Sequence, residues 1–174
     1  MASNKIPVIR YRRKRSGRTD YKKRLNLLRS RQPRFVVRKS NTKLIAQIIQ
    51  YAPTGDKVII TMDTSKLKKD YGWNYSLKNI PAAYLLGAMI GKQASTKKIT
   101  QAIVDLGRQP AIKGSKLSAV IKGAIDAGLK VPAGEIFPKN ERLQGQHITG
   151  WLKDNKDIVN LPKKFEEIKG KVLK

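Results

Sequence analysis

The residues best equipped for chemistry stand near the front of the chain, in the run Tyr11-Arg12-Arg13-Lys14-Arg15-Ser16-Gly17-Arg18-Thr19-Asp20-Tyr21. Guanidinium groups fork onto phosphate oxygens and stack on bases. Tyr11 and Tyr21 are spaced to offer rings to unpaired bases, the usual way a folded RNA is read. Arg10 before the run, and Lys22 and Arg24 after it, extend the patch, and Thr19 adds a hydroxyl. A second cluster, Arg38-Lys39-Ser40-Asn41 with Lys43, falls where a turn between two strands is expected. Such a turn can be ordinary hairpin chemistry and still touch phosphate or ribose. A third, Lys113-Gly114-Ser115-Lys116, immediately precedes a predicted helix, whose N-terminal amides and dipole suit an anion. It is not a nucleotide-binding P-loop, because the spaced first glycine is missing. Gly87 to Lys92 fails the same test, with Gln93 where Ser or Thr is required.

Catalysis has one candidate pair. Asp63 and Asp105 are expected near strand ends and would have to converge on two metal ions to cut a phosphodiester. No other acid lies in the predicted strands, and the surrounding charge opposes cation binding, so turn and cap chemistry is the preferred reading. His147 is the only histidine and cysteine is absent, which removes multi-histidine metal sites, thiolate zinc sites and cysteine nucleophiles. No cofactor or small-molecule substrate is expected.

Charge narrows the partner. The chain has 174 residues, with 38 Lys and Arg against 12 Asp and Glu, for a formal net charge of +26. Such a domain repels itself until a polyanion neutralises it. Nucleic acid fits better than a membrane surface, since no segment reads as a long basic amphipathic helix with bulky apolar residues opposite. The longest apolar stretch, 82–90, is too short to span a bilayer, and the start of the chain lacks the apolar core of a signal peptide. A soluble, intracellular protein is expected.

These clusters need elements to hold them. Residues 1–19 carry little apolar surface and read as an arm, extended or disordered until bound. Asp20 caps a short basic helix that places Leu25 and Leu28 on one face and ends near Ser30, and Pro33 stops it. Strands follow at 34–39, 44–49 and 57–62, joined by turns at 40–42 and 53–56. The period then changes. Asn79 caps a helix with Pro81 in its first turn, apolar nearly all round and therefore buried, running to about Gln93. Gly87 and Gly91 on it permit the close approach of another backbone. A fourth strand is expected at 102–106. Ser115 then caps a helix with Leu117, Val120, Ile121, Ala124 and Ile125 on one face, closed by Gly128, and 129–131 make a short fifth strand.

The expected fold class is α/β: a mixed five-stranded sheet in the order βββαβαβ, of the ribonuclease H-like or translational machinery component type, with helices packed on it. The expected domains are a basic arm and short helix at 1–32, an α/β RNA-binding domain at 33–137, and a C-terminal extension at 138–174. Within that extension, 139–150 form a helix, and 151–174, with Trp151, Phe165, Ile168 and Val172 among many lysines, form a peripheral tail.

Many separate blocks, in order, carry a resemblance. They are Tyr11 to Arg15, Thr19 to Tyr21, Arg24-Leu25, Leu27-Leu28, Pro33-Arg34, Val36 to Asn41 and Ala46 to Ile49. They continue with Gly72-Trp73, Pro81 to Leu85, Gly87 to Lys92, Lys113 to Ser115, Lys122 to Gly128 and Ile136 to Pro138. Over about residues 5–150 the chain resembles the large-subunit ribosomal protein L eighteen family, archaeal and eukaryotic type, and its length fits the archaeal form. The resemblance implies a structural protein of the cytoplasmic ribosome. It would bind 5S ribosomal RNA through its basic arm and exposed sheet face, and anchor that RNA in the central protuberance beside a protein of the ribosomal protein L five family. The stretch after about Gly150 lies outside the resemblance and is assigned to contact with 23S ribosomal RNA or a neighbouring large-subunit protein. The alternatives from the residues alone are a general nucleic-acid architectural protein and the metal-dependent nuclease considered above.

Overall fold

The computed structural model describes residues 8–152 and 156–173. The first seven residues of the expected arm, Lys5 among them, and 153–155 of the expected tail lie outside the described residues. The sheet consists of β1 (Arg34–Lys39), β2 (Leu44–Gln50), β3 (Lys57–Asp63) and β4 (Ile103–Asp105), in the spatial order β3-β2-β1-β4. The first three strands form an antiparallel meander, and β4 adds to β1 in parallel. Parallel addition requires a crossover. Helices α3 (Ser65–Tyr71) and α4 (Ile80–Thr96) provide it.

The meander alternates as its sequence demands. Phe35, Val37, Leu44, Ala46, Ile48, Ile60 and Met62 face one side and enter the main core. Arg34, Val36, Arg38, Ile45, Gln47, Thr61 and Asp63 follow from the register on the other. α4 lies over the core face. Asn79 Oδ1 accepts from Ala82 N at 2.8 Å, Pro81 sits in the first turn, and thirteen residues from Ile80 to Ala94 are buried. Against α4 packs α5 (Lys116–Asp126), capped by Ser115 Oγ accepting from Ser118 N. The two helices nearly touch backbone to backbone. A Cβ on Gly87 would lie 2.0 Å from Val120 O, and one on Gly123 would lie 2.1 Å from Tyr84 O. Only glycine permits this approach.

Four expectations need correction. Among the described residues the sheet has four strands, not five: where a fifth was expected there is only an isolated parallel bridge, Gln101 to Lys130. Helix α3 was missed, because Leu67 is its only buried residue and its sequence shows no apolar period. The expected single helix after 139 is two, α6 (Asn140–Gln144) and α7 (Gln146–Trp151), broken at Gly145. Its φ of +87° is left-handed, and a Cβ there would meet Leu161 Cδ2 at 2.2 Å.

The fourth correction concerns the tail. After α8 (Lys156–Val159), α9 (Leu161–Leu173) docks on α4 and belongs to the core. Leu161, Phe165, Ile168 and Val172 form one buried stripe, and the Phe165 ring sits 5.5 Å from that of Tyr84. An apolar stripe on a basic helix buries itself when a complementary apolar face is available, and α4 has apolar surface on every side.

Candidate nucleic-acid interface

The described part of the arm is folded rather than extended. Arg12–Arg15 forms one helical turn, α1, with no buried residue. Hydrogen bonding holds it: Tyr11 O accepts from the N–H groups of Lys14 and Arg15, and Arg13 Nε donates to Thr19 Oγ1 at 2.9 Å. The Tyr11 and Tyr21 rings meet each other at 5.5 Å. The four cations of α1 are all exposed, as is Arg18. Asp20 caps α2 (Tyr21–Leu28) as expected, accepting from Lys23 N at 3.1 Å. Leu25, read as sharing one face with Leu28, is 56% exposed, whereas Leu27 and Leu28 are half-buried. Lys22 is exposed.

Beneath α2 runs a chain of alternating charges. Asp56 accepts from Arg24 Nη2 at 2.8 Å and from Arg34 Nη2 at 2.5 Å. Asp105 accepts from Arg34 Nη1 at 2.8 Å, Arg38 Nη2 at 3.1 Å and Gly107 N at 2.8 Å. Lys23 Nζ donates to Gly107 O, and Arg108 donates to Gly17 O. Burial alone would raise the Asp105 carboxyl, but Arg38, the Gly107 amide and Arg34 outweigh it and hold its pKa below the ordinary value. Arg24 and Arg38 are thus engaged with carboxylates, and this network fixes the front of the chain on the open face of the sheet.

A second cleft, of about 610 Å³, lies at the other end of β1. It joins two clusters that are far apart in the sequence: Lys39, Ser40 and Asn41 from the β1–β2 turn, and Gly114, Ser115 and Lys116 from the start of α5. Lys78 and Arg142 complete it. Lys78 Nζ donates to Asn41 O at 3.2 Å, and Arg142 Nη1 overhangs Gly114, 3.8 Å from where a Cβ would be. No acidic side chain lines the cleft among the described residues. Burial, then repulsion from Lys78 and Lys39, lowers the pKa of Lys116.

Other sequence candidates fall outside it. Lys113 is exposed and does not line the cleft. Lys43 pairs with Asp63 at 2.7 Å. Ser40 does line the cleft, but its hydroxyl donates to Lys43 O and accepts from the amides of Thr42 and Lys43, so the hairpin uses it. Lys78 and Arg142 were missed. Lys78 does precede a helix cap as Lys113 does, a signal that was available; nothing local marks Arg142.

The two aspartates do not converge. Asp63 lies on β3 and Asp105 on β4, the opposite edges of the sheet. Three inter-strand steps separate them, roughly 14 Å at the usual spacing, against the ~4 Å between the ions of a two-metal site. Asp63 instead binds Lys43 and the amide of Ser65. Burial raises its carboxyl, and these partners lower it further than that, leaving its pKa below normal.

Comparisons with known proteins identify the family. The family described as "Ribosomal large subunit proteins 60S L5, and 50S L18" matches residues 8–104. The large ribosomal subunit protein uL18 of Korarchaeum cryptofilum (strain OPF8) is 44% identical over 160 residues, covering 91% of this chain and 82% of that protein. That alignment is longer than the span of about 5–150 that carried the resemblance, so it necessarily includes residues beyond Gly150. With more than half its length matched and a relative this similar, the chain belongs to the family of large-subunit ribosomal proteins that unites 60S L5 and 50S L18, structural components of the ribosome and not enzymes.

Proposed function

We propose that the chain binds 5S ribosomal RNA and anchors it in the central protuberance of the large subunit of the cytoplasmic ribosome. It does so beside a protein of the ribosomal protein L five family and in contact with 23S ribosomal RNA. The observation that carries this reading is the location of the uncompensated charge. Arg24, Arg34, Arg38 and Lys43 are paired with carboxylates. The exposed cations of α1, with Arg10, Arg18 and Lys22, and the acid-free cleft at Lys39 and Lys116 flank that neutralised strip. The folded scaffold therefore compensates most of its internal charge, four cations against three carboxylates, and presents the remainder to phosphates.

The test is binding of the purified chain to 5S RNA across a salt series. With ~8 phosphates neutralised, log affinity falls against log salt with a slope of about −7. Replacing Arg12, Arg13 and Arg15 together by alanine weakens binding while leaving the melting temperature unchanged, because these side chains bury nothing and the side-chain bond lost, Arg13 to Thr19, is exposed and ties only the arm. Duplex DNA at matched salt binds more weakly than 5S RNA. Equal affinity for the two, or a flat salt response, overturns the reading.

A further inference from the structure

We propose that the cleft between the β1–β2 turn and the start of α5 is a prebuilt seat for a phosphate group of the RNA backbone, with Lys78 and Arg142 as its unrecognised ligands. The proposal rests on the reading of the chain as an RNA-binding protein and names the chemistry of one site within it.

Its support is the contrast between the two clefts. The one under α2 contains Asp20, Asp56 and Asp105; Asp56 and Asp105 hold Arg24, Arg34 and Arg38, and Arg108 donates to the Gly17 carbonyl. The cleft at the far end of β1 gathers Lys39, Lys78, Lys116 and Arg142 from four separate segments, with no acid in its lining among the described residues. Like charges brought together without a counter-charge cost stability. A fold tolerates this where an anion completes the group. Two helices, α4 and α5, also begin at its wall, through Ile80 and through Ser115 and Lys116. Their dipoles add to the same field. The walls are already in place: Ser115 caps α5, Gly114 N donates to Ile136 O at 2.9 Å, and Lys78 is held on Asn41 O. The seat differs in this from α1, whose cations stand in solvent.

The test uses the full-length chain with inorganic phosphate as the probe, against chloride at matched ionic strength. Phosphate should raise the melting temperature of the wild type in a saturable way, as a ligand of the native state does. It should also shift the backbone amide resonances of Gly114 to Leu117 and of Lys39 to Asn41. The Lys78→Ala/Arg142→Ala variant should lose both effects and keep only the general salting response. The Arg12→Ala/Arg13→Ala/Arg15→Ala variant should retain them. Shifts spread over α1 as strongly as over the cleft, or an undiminished response in the double variant, would overturn the proposal. Against 5S RNA, the double variant should bind more weakly, with a salt slope shallower by about 0.7 to 0.9, the loss of one phosphate contact. An unchanged slope would show that RNA does not use the seat, while wild-type preference for 5S RNA would still stand on its own measurement.

Discussion

Replacing Asp105 by alanine tests whether the charge network under α2 holds the front of the chain in place. The carboxylate is buried and accepts from Arg34 at 2.8 Å, Arg38 at 3.1 Å and the Gly107 amide at 2.8 Å. Removing one member of a buried ion pair costs about 3–5 kcal/mol, because the other charge stays buried without a partner. Arg34 is 3% exposed and cannot reach water, but it keeps Asp56 at 2.5 Å. The Arg38 side chain is 40% exposed and can rehydrate. The loss should therefore fall at the lower end, about 3 kcal/mol, or about 6–12 °C in melting temperature for a chain of this size. Urea unfolding at pH 7 measures it as a lower midpoint with an unchanged slope.

The sign with pH follows from linkage. The folded pKa of Asp105 lies below its ordinary value of 3.8, so its contribution is complete above that value and fades as pH falls through the folded pKa. The gap between wild type and variant should therefore be widest near neutrality and close in strong acid. Arg34→Met/Asp105→Leu, which removes the buried pair together, should recover most of the loss. A deficit below about 1 kcal/mol for Asp105→Ala, or a gap that widens on acidification, refutes the reasoning.

Two further predictions concern the scaffold. Gly87→Ala places a methyl group 2.0 Å from Val120 O, which is backbone and cannot turn aside; α4 and α5 must separate, at a cost of about 3 kcal/mol, read in thermal unfolding by circular dichroism, and a stability equal to wild type would contradict the helix contact. Phe165→Ala removes a fully buried ring from the interface of α9 with Tyr84; a loss of about 3–5 kcal/mol is expected, and a value near zero in the same assay would return α9 to the status of a peripheral tail.

The sequence alone determined much of the local structure. β1 runs from Arg34 to Lys39 as read, and the caps at Asp20, Asn79 and Ser115 all form. These features depend on side-chain alternation and on hydrogen bonds spanning a few residues, so the local sequence contains them. Gly87 and Gly91 announced a close backbone approach, and α5 makes it. The excess of cations by itself pointed to a polyanionic partner.

Tertiary structure decided how those pieces meet. Lys39 and Lys116 were legible as separate basic turns, but their common cleft, and the addition of Lys78 and Arg142, arise from the packing of β1, α4, α5 and α6. Asp105 looked the same in sequence whether it served a metal or an arginine. The strand order, which sets it apart from Asp63 and beside Arg34, makes the choice. The docking of α9 was equally hidden, since a helix's own apolar stripe does not reveal which surface receives it. Periodicity and capping act along the chain, whereas a cleft, an ion-pair network and a docked helix are made between segments whose distance only the completed fold sets.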